Sequence, residues 1–179
     1  MKGVVFRELI EMIEDQYGLD VLDQVIENAK LESGGAYTSV GDYADEEIDL
    51  ILRELSTITG EDTKQLLAAF SGCFFRLLNL SYSKFFKMHN CALRFLASLD
   101  DYIHPEALKL YPGAKVPGFE PNWVNDNQLE LIYSSERKMG DFARGLIEQT
   151  ISYYGHEIAV SEELLVEDGS RIRYSLTKA

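Results

Sequence analysis

The chain has few cysteines, few prolines, few basic residues and no long apolar run, and each shortage removes a class of protein. Of its 179 residues only two are cysteine, Cys73 and Cys91, with no CxxC spacing, so neither a zinc site nor a disulfide framework is expected. Both thiols are expected to be free and buried. No stretch reaches the roughly 18 apolar residues that span a bilayer, and Met1-Lys2-Gly3-Val4-Val5-Phe6-Arg7-Glu8 lacks the apolar core of a secretion signal. The expectation is a cytoplasmic protein. Lys and Arg total 17 against 30 Asp and Glu, a net charge of -13. Such a surface repels phosphate backbones and anionic headgroups, so nucleic acid and membranes are poor partners, whereas a protein with a basic face is a good one. No internal repeat or low-complexity tract is present.

With 46% hydrophobic and 26% charged residues the chain has ordinary globular usage, and its length suits one core. We read residues 1–179 as a single domain. Leu9, Ile10, Ile13, Val21, Leu22, Val25 and Ile26 recur at helical spacing around a break at Tyr17-Gly18. Leu31 to Tyr43, rich in Gly, Ser and Thr, reads as a loop. A helix beginning at Asp45-Glu46-Glu47 buries Ile48, Ile51, Leu52 and Leu55 and stops near Thr59-Gly60. The next carries Leu66, Leu67, Phe70, Phe74, Leu77 and Leu78. Phe85-Phe86 and Asn90 to Leu99 lead into a further helical stretch that Tyr111-Pro112-Gly113 must end. Beyond it come a short segment, Val116 to Glu120, and an alternating strand over Gln128 to Ser134. A helix over Phe142 to Tyr154 follows, then strands over Glu157 to Leu165 and Ser170 to Thr177 joined at Glu167-Asp168-Gly169. The fold class is α+β: a helical N-terminal half, then a small antiparallel sheet with an inserted helix.

Two constellations carry chemistry. His104 lies at the edge of an apolar stripe formed by Leu96, Leu99 and Ile103. A neutral imidazole there is either a hydrogen-bonded boundary residue or an iron ligand beside an apolar pocket. Tyr133, Ser135 and Arg137 alternate, so on an extended segment they project to one side as three donors suited to a carboxylate. The alternative is an exposed strand end with a surface ion pair. The acidic pairs Asp100/Asp101 and Glu46/Glu47 are taken as solvated, because neighbouring acids on a helix point in different directions. His89 and His156 are assigned to the surface.

Together these features resemble the haem nitric oxide/oxygen binding (H-NOX) family from end to end. The similarity includes Met1-Lys2-Gly3, Gly35-Ala36-Tyr37-Thr38-Ser39, Leu99-Asp100 through His104 with Lys109-Leu110-Tyr111-Pro112-Gly113-Ala114, and the Tyr-x-Ser-x-Arg signature at Tyr133, Ser135 and Arg137. The resemblance implies haem b buried between the helical half and the sheet, His104 as the proximal iron ligand, and Tyr133, Ser135 and Arg137 on the propionates. Pro117 would press on the haem face, and Val5 and Leu146 would flank the distal pocket. Phe142 stands where oxygen-binding members carry tyrosine, and Leu9 and Phe74 are likewise apolar, which implies NO and CO as ligands and no stable O2 binding. Ser71 replaces the glycine usual after Phe70, and the cysteine-rich zinc site of some members is absent. The family also implies a sensor, not an enzyme. NO cleaves its iron–histidine bond, and its signal passes to a separate histidine kinase or to a cyclic-di-GMP synthase or phosphodiesterase. The competing expectation is a protein-interaction module, haem-free or haem-carrying, without gas selectivity.

Overall fold

The computed structural model describes residues 1–178, which form two compact units, one up to Phe74 and one from Phe75 onward. In the first, α1 (Gly3–Tyr17) and α2 (Leu19–Ala29) are separated by Gly18, whose φ of 86° suits glycine and interrupts the helical path. Helix α3 (Glu46–Thr59) ends where Gly60 turns left-handed at φ 77° and returns its N–H to Ser56 O. Phe6, Leu9, Ile13, Val25, Ile51 and Leu55 are buried without exposed surface, as the helical spacing predicts. Helix α4 runs from Thr63 to Ser81. On it the hydroxyl of Ser71, fully buried, donates to Ala68 O at 2.7 Å, so the serine is satisfied inside the helix that carries it.

Glu47 corrects one expectation. It is not part of a solvated face but is 4% exposed, and its carboxylate accepts from Ser33 N–H (3.0 Å), the Ser33 hydroxyl (2.7 Å) and the Tyr37 hydroxyl (2.6 Å). A carboxylate in the first turn of α3 thus pins the 31–43 loop, where backbone donors would otherwise lack partners. Burial, the largest single influence, pushes the carboxyl upward, but the bonds from Tyr37 and Ser33 outweigh it and hold it below its ordinary range. The ionised form therefore stabilises the fold above the unfolded-state value near pH 4, and that contribution is lost as pH falls through the depressed folded-state value. Glu47→Gln is expected to cost about 1–3 kcal/mol in urea denaturation, because one of the three bonds loses its acceptor. It is also expected to flatten the acid limb of a stability-versus-pH curve.

The second unit holds a four-stranded antiparallel sheet ordered β1-β2-β4-β3: β1 (Gly118–Asn125), β2 (Gln128–Ser134), β3 (Ile158–Leu164) and β4 (Arg171–Lys178). Leu129 pairs with Leu176, Leu131 with Tyr174 and Tyr133 with Ile172, which puts six buried side chains on one face. Against this core pack Ala143, Ile147 and Ile151 of α8 (Gly140–Tyr154) and Leu93, Phe95 and Leu96 of α6 (Ala92–Ala97). The short helix α5 (Ser83–Met88) contributes Phe86, stacked on Phe95 at 4.5 Å. Strand β1 is longer than the Val116 to Glu120 stretch expected. Residues 120–125 are exposed, so this edge strand has no alternating pattern to read, and an edge is where Pro121 is tolerated. Neither cysteine is in a disulfide; Cys73 is buried and Cys91 half-buried. No helix among the described residues is long and apolar enough to cross a membrane.

Candidate functional site

The backbone leading to His104 is not a plain helix. Between α6 and α7 (His104–Leu110) lies a five-residue π-helical turn, Leu99–Ile103, in which the His104 N–H reaches back five residues to Leu99 O. Pro105 follows at once. Having no N–H, it cannot close the ordinary helical bond to a carbonyl in the preceding turn, which favours the widened ladder there. Leu99 and Ile103 remain partly buried against the core, as their spacing predicts.

Within this turn Asp100 and His104 meet. His104 Nδ1 lies 2.8 Å from Asp100 Oδ1, and the second carboxylate oxygen accepts the Phe119 N–H of β1 at 2.7 Å. Asp100 is thus not a free solvated acid, contrary to expectation, although its side chain keeps 39% exposure. Burial of the imidazole lowers the His104 pKa, and Asp100 offsets only part of that, so the ring is neutral near pH 7. With Asp100 accepting from Nδ1–H, Nε2 carries the lone pair, and it has no hydrogen-bond partner among the described residues. The His104 ring lies 5.9 Å from Phe119, which lies 5.6 Å from Tyr133.

Tyr133, Ser135 and Arg137 do come together, by a route other than alternation. Strand β2 stops at Ser134, and Tyr133 points into the core with 2% exposure. The chain then turns: Ser135 N–H donates to Ser170 O (2.9 Å), the Ser135 hydroxyl accepts from Arg137 N–H (3.2 Å), and the Tyr133 hydroxyl accepts from Met139 N–H (3.1 Å). Burial raises the Tyr133 phenol, and Ser135, the Met139 N–H and Arg137 act the other way. The Arg137 guanidinium also donates to Lys115 O, which fastens the turn to the segment before Pro117. Pro117 is half-buried. The second unit therefore contains a helix-borne imidazole, a phenol, a hydroxyl and a guanidinium.

The remaining candidates divide between the units. Phe142 and Leu146 lie four apart on α8, both half-buried, with Leu146 against the core of the second unit. Val5 and Leu9 are likewise four apart on α1, Leu9 without exposure, and Phe74 sits at the end of the first unit, 5.9 Å from Phe70. The other histidines are not simply surface residues. His89 Nε2 lies 3.2 Å from the Ser98 hydroxyl, and His156, half-buried, lies stacked 6.2 Å from Tyr154. The sequence reading missed Asp100, Phe119 and Lys115. The first had a usable signal, an acid four residues before a histidine, whereas the other two act through backbone atoms that any residue could supply.

This fold and site define an α+β domain with a carboxylate-tied imidazole and a nearby turn suited to carboxylates. The Haem-NO-binding family model matches residues 2–162, and the chain belongs to that family, the H-NOX proteins, whose members bind haem and serve as gas sensors that signal to partners. Among solved structures, the Fe(II) unliganded H-NOX protein from K. algicida is 33% identical, with 100% of this chain and 97% of that one covered and a TM-score of 0.94. An H-NOX mutant from T. tengcongensis is 27% identical over 99% of this chain and 97% of that one, with a TM-score of 0.87. The H-NOX protein from S. oneidensis in the Fe(II)NO state shares the fold at 23% identity, covering 100% and 99%, with a TM-score of 0.89. A comparison with curated protein sequences returns no significant match.

The donor set fits haem. Nε2 of a neutral imidazole suits the iron, and the phenol, hydroxyl and guanidinium suit its two carboxylates.

Proposed function

We propose that the chain works as a single sensor domain for nitric oxide, with haem b held by His104 through Nε2 and its propionates held by Tyr133, Ser135 and Arg137. The observation that carries this reading is the placement of His104: its Nδ1 is tied to Asp100, whose other oxygen holds the Phe119 amide of β1, and its ring lies 5.9 Å from Phe119, itself 5.6 Å from Tyr133. When bound, haem would supply a ferrous iron that takes NO or CO, and His104 would hold that iron through Nε2. Pro117, half-buried between Lys115 and the start of β1, is assigned to the haem face.

Ligand choice is assigned to apolar side chains. Val5, Leu9, Phe74, Phe142 and Leu146 offer no hydrogen-bond donor, so a partly anionic ligand such as dioxygen gains nothing from them, while NO and CO need little polar support. Phe142→Tyr supplies a hydroxyl at one of these positions. It is expected to raise oxygen affinity at least tenfold, the effect of one charge-assisted hydrogen bond worth about 1.5–3 kcal/mol, read by oxygen titration of the reduced protein. Unchanged affinity would remove Phe142 from the distal set.

Released from the metal, His104 would free the segment that carries it, and the signal would pass to a separate protein, a histidine kinase or a cyclic-di-GMP synthase or phosphodiesterase, in the cytoplasm. The protein is proposed to act as a sensor without catalysis. The test is the absorption spectrum of the reduced protein under argon, in air and with NO. A histidine-ligated ferrous spectrum, stable in air and altered by NO with loss of histidine ligation, is expected. An air-stable oxygen spectrum would overturn the selectivity, and failure to take up haem would leave a protein-interaction module.

A further inference from the structure

Among the described residues, Asp100 is the one carboxylate that touches both the imidazole of His104 and the backbone of the sheet. Its Oδ1 lies 2.8 Å from His104 Nδ1 and its Oδ2 lies 2.7 Å from the Phe119 nitrogen, the second residue of β1. We propose that Asp100 is a positioning residue that fixes which nitrogen of His104 faces the iron, raises that nitrogen's donor strength, and transmits displacement of His104 to strand β1. This rests on His104 being the iron ligand.

The argument is geometric. A neutral imidazole has one N–H, and a carboxylate at Nδ1 holds that proton there, leaving Nε2 as the only basic nitrogen. Because Asp100 is negative, the bond is charge-assisted and pushes electron density through the ring toward Nε2. The same carboxylate is anchored at its other oxygen, so the imidazole is oriented from β1 as well as from its own helix. Strand β1 pairs with β2 from Gly118↔Ser134 to Asn125↔Gln128, and β2 ends at the turn holding Tyr133, Ser135 and Arg137. Ligand and propionate clamp therefore share one frame, with Asp100 as the side-chain link. Asp100 and His104 are four residues apart, the spacing at which side chains on successive helical turns meet. If His104 leaves the iron, its Nδ1 still holds Asp100, and any movement of the imidazole pulls on the Phe119 amide.

The test uses the full chain loaded with ferrous haem, comparing wild type with Asp100→Asn and Asp100→Glu. Two readouts are taken: the iron–histidine stretching band by resonance Raman, and hydrogen exchange of the Phe119 amide. In Asp100→Asn the band is expected to move to lower frequency, because a neutral acceptor leaves Nε2 a weaker donor. Haem loss is expected to quicken about 10- to 100-fold, the range for partners of metal-bound histidines. Phe119 exchange is expected to rise about tenfold or more as a charged acceptor is lost. Asp100→Glu, which keeps the charge, is expected to restore the band in part. A band and exchange rate unchanged in Asp100→Asn would overturn the proposal, as would an equal loss of the band position in both variants. Absence of any iron–histidine band in the wild type would refute the ligand assignment itself, and the Phe119 exchange would still report whether Asp100 links to β1.

Discussion

A chain carrying His104→Gly is expected to lose the histidine-ligated ferrous spectrum, and its haem affinity is expected to fall on the order of 100-fold or more, beyond the cost of losing a mere partner of a metal ligand. The substitution removes the imidazole that Asp100 orients, and the other two histidines lie outside this turn. His89 is engaged with Ser98, and His156 stacks on Tyr154 at the α8–β3 junction. Free imidazole in the buffer is expected to restore much of the spectrum, because the removed ring leaves its own volume behind. The measurement is a haem titration followed by absorption, with and without imidazole. A variant that binds haem with the wild-type spectrum would end the assignment of His104. Thermal stability serves as the control, since glycine at the start of α7 costs about 1 kcal/mol through backbone entropy.

Gly3→Ala is expected to give the largest loss of stability of any single methyl addition in the first unit. A Cβ on Gly3 would lie 2.0 Å from the carbonyl oxygen of Thr38 and 2.9 Å from its carbon, and both are backbone atoms that cannot rotate away. Relief requires the N-terminus of α1 to part from the 38–41 loop. That movement breaks Gly3 N–H to Gly41 O (2.9 Å) and Val4 N–H to Ser39 O (3.0 Å). Overpacking costs about 1–3 kcal/mol and each bond about 1 kcal/mol, so about 3–5 kcal/mol is expected. For a chain of this size that is about 6–20 °C in Tm, read by scanning calorimetry. A shift under about 2 °C would show that the loop yields at little cost. The loop is already committed elsewhere, with Tyr37 stacked on Phe6 at 4.5 Å and bonded to Glu47. Little slack remains.

Both predictions start from residues that the sequence singled out, the opening Met1-Lys2-Gly3 and the lone histidine beside an apolar stripe. The helices, strand β2 and the final hairpin were legible for a common reason. Each buries one face, so burial writes its period into the residues: Ile48, Ile51, Leu52 and Leu55 along α3, and Leu129, Leu131 and Tyr133 along β2. The same residues place His104 and the Tyr133-Ser135-Arg137 signature among the candidates, because an imidazole or guanidinium beside apolar residues departs from the surrounding pattern.

What the tertiary structure alone decided is where long-range partners meet. Glu47 and Asp100 look like any acid in a charged helical turn, and only the return of the 31–43 loop to one and of β1 to the other turns them into anchors. The π-helical turn leaves no mark on hydrophobic period because it adds width within a single turn, with Pro105 as its local trace. Tyr133, Ser135 and Arg137 converge through a turn closed by Ser170, Lys115 and Met139, whose contributions are backbone atoms with no side-chain signature. Periodicity is a local record of burial against one face, and it fixed the elements of this protein. Backbone hydrogen bonds between residues far apart in the chain are common to all amino acids, so the site's wiring was decided only by folding.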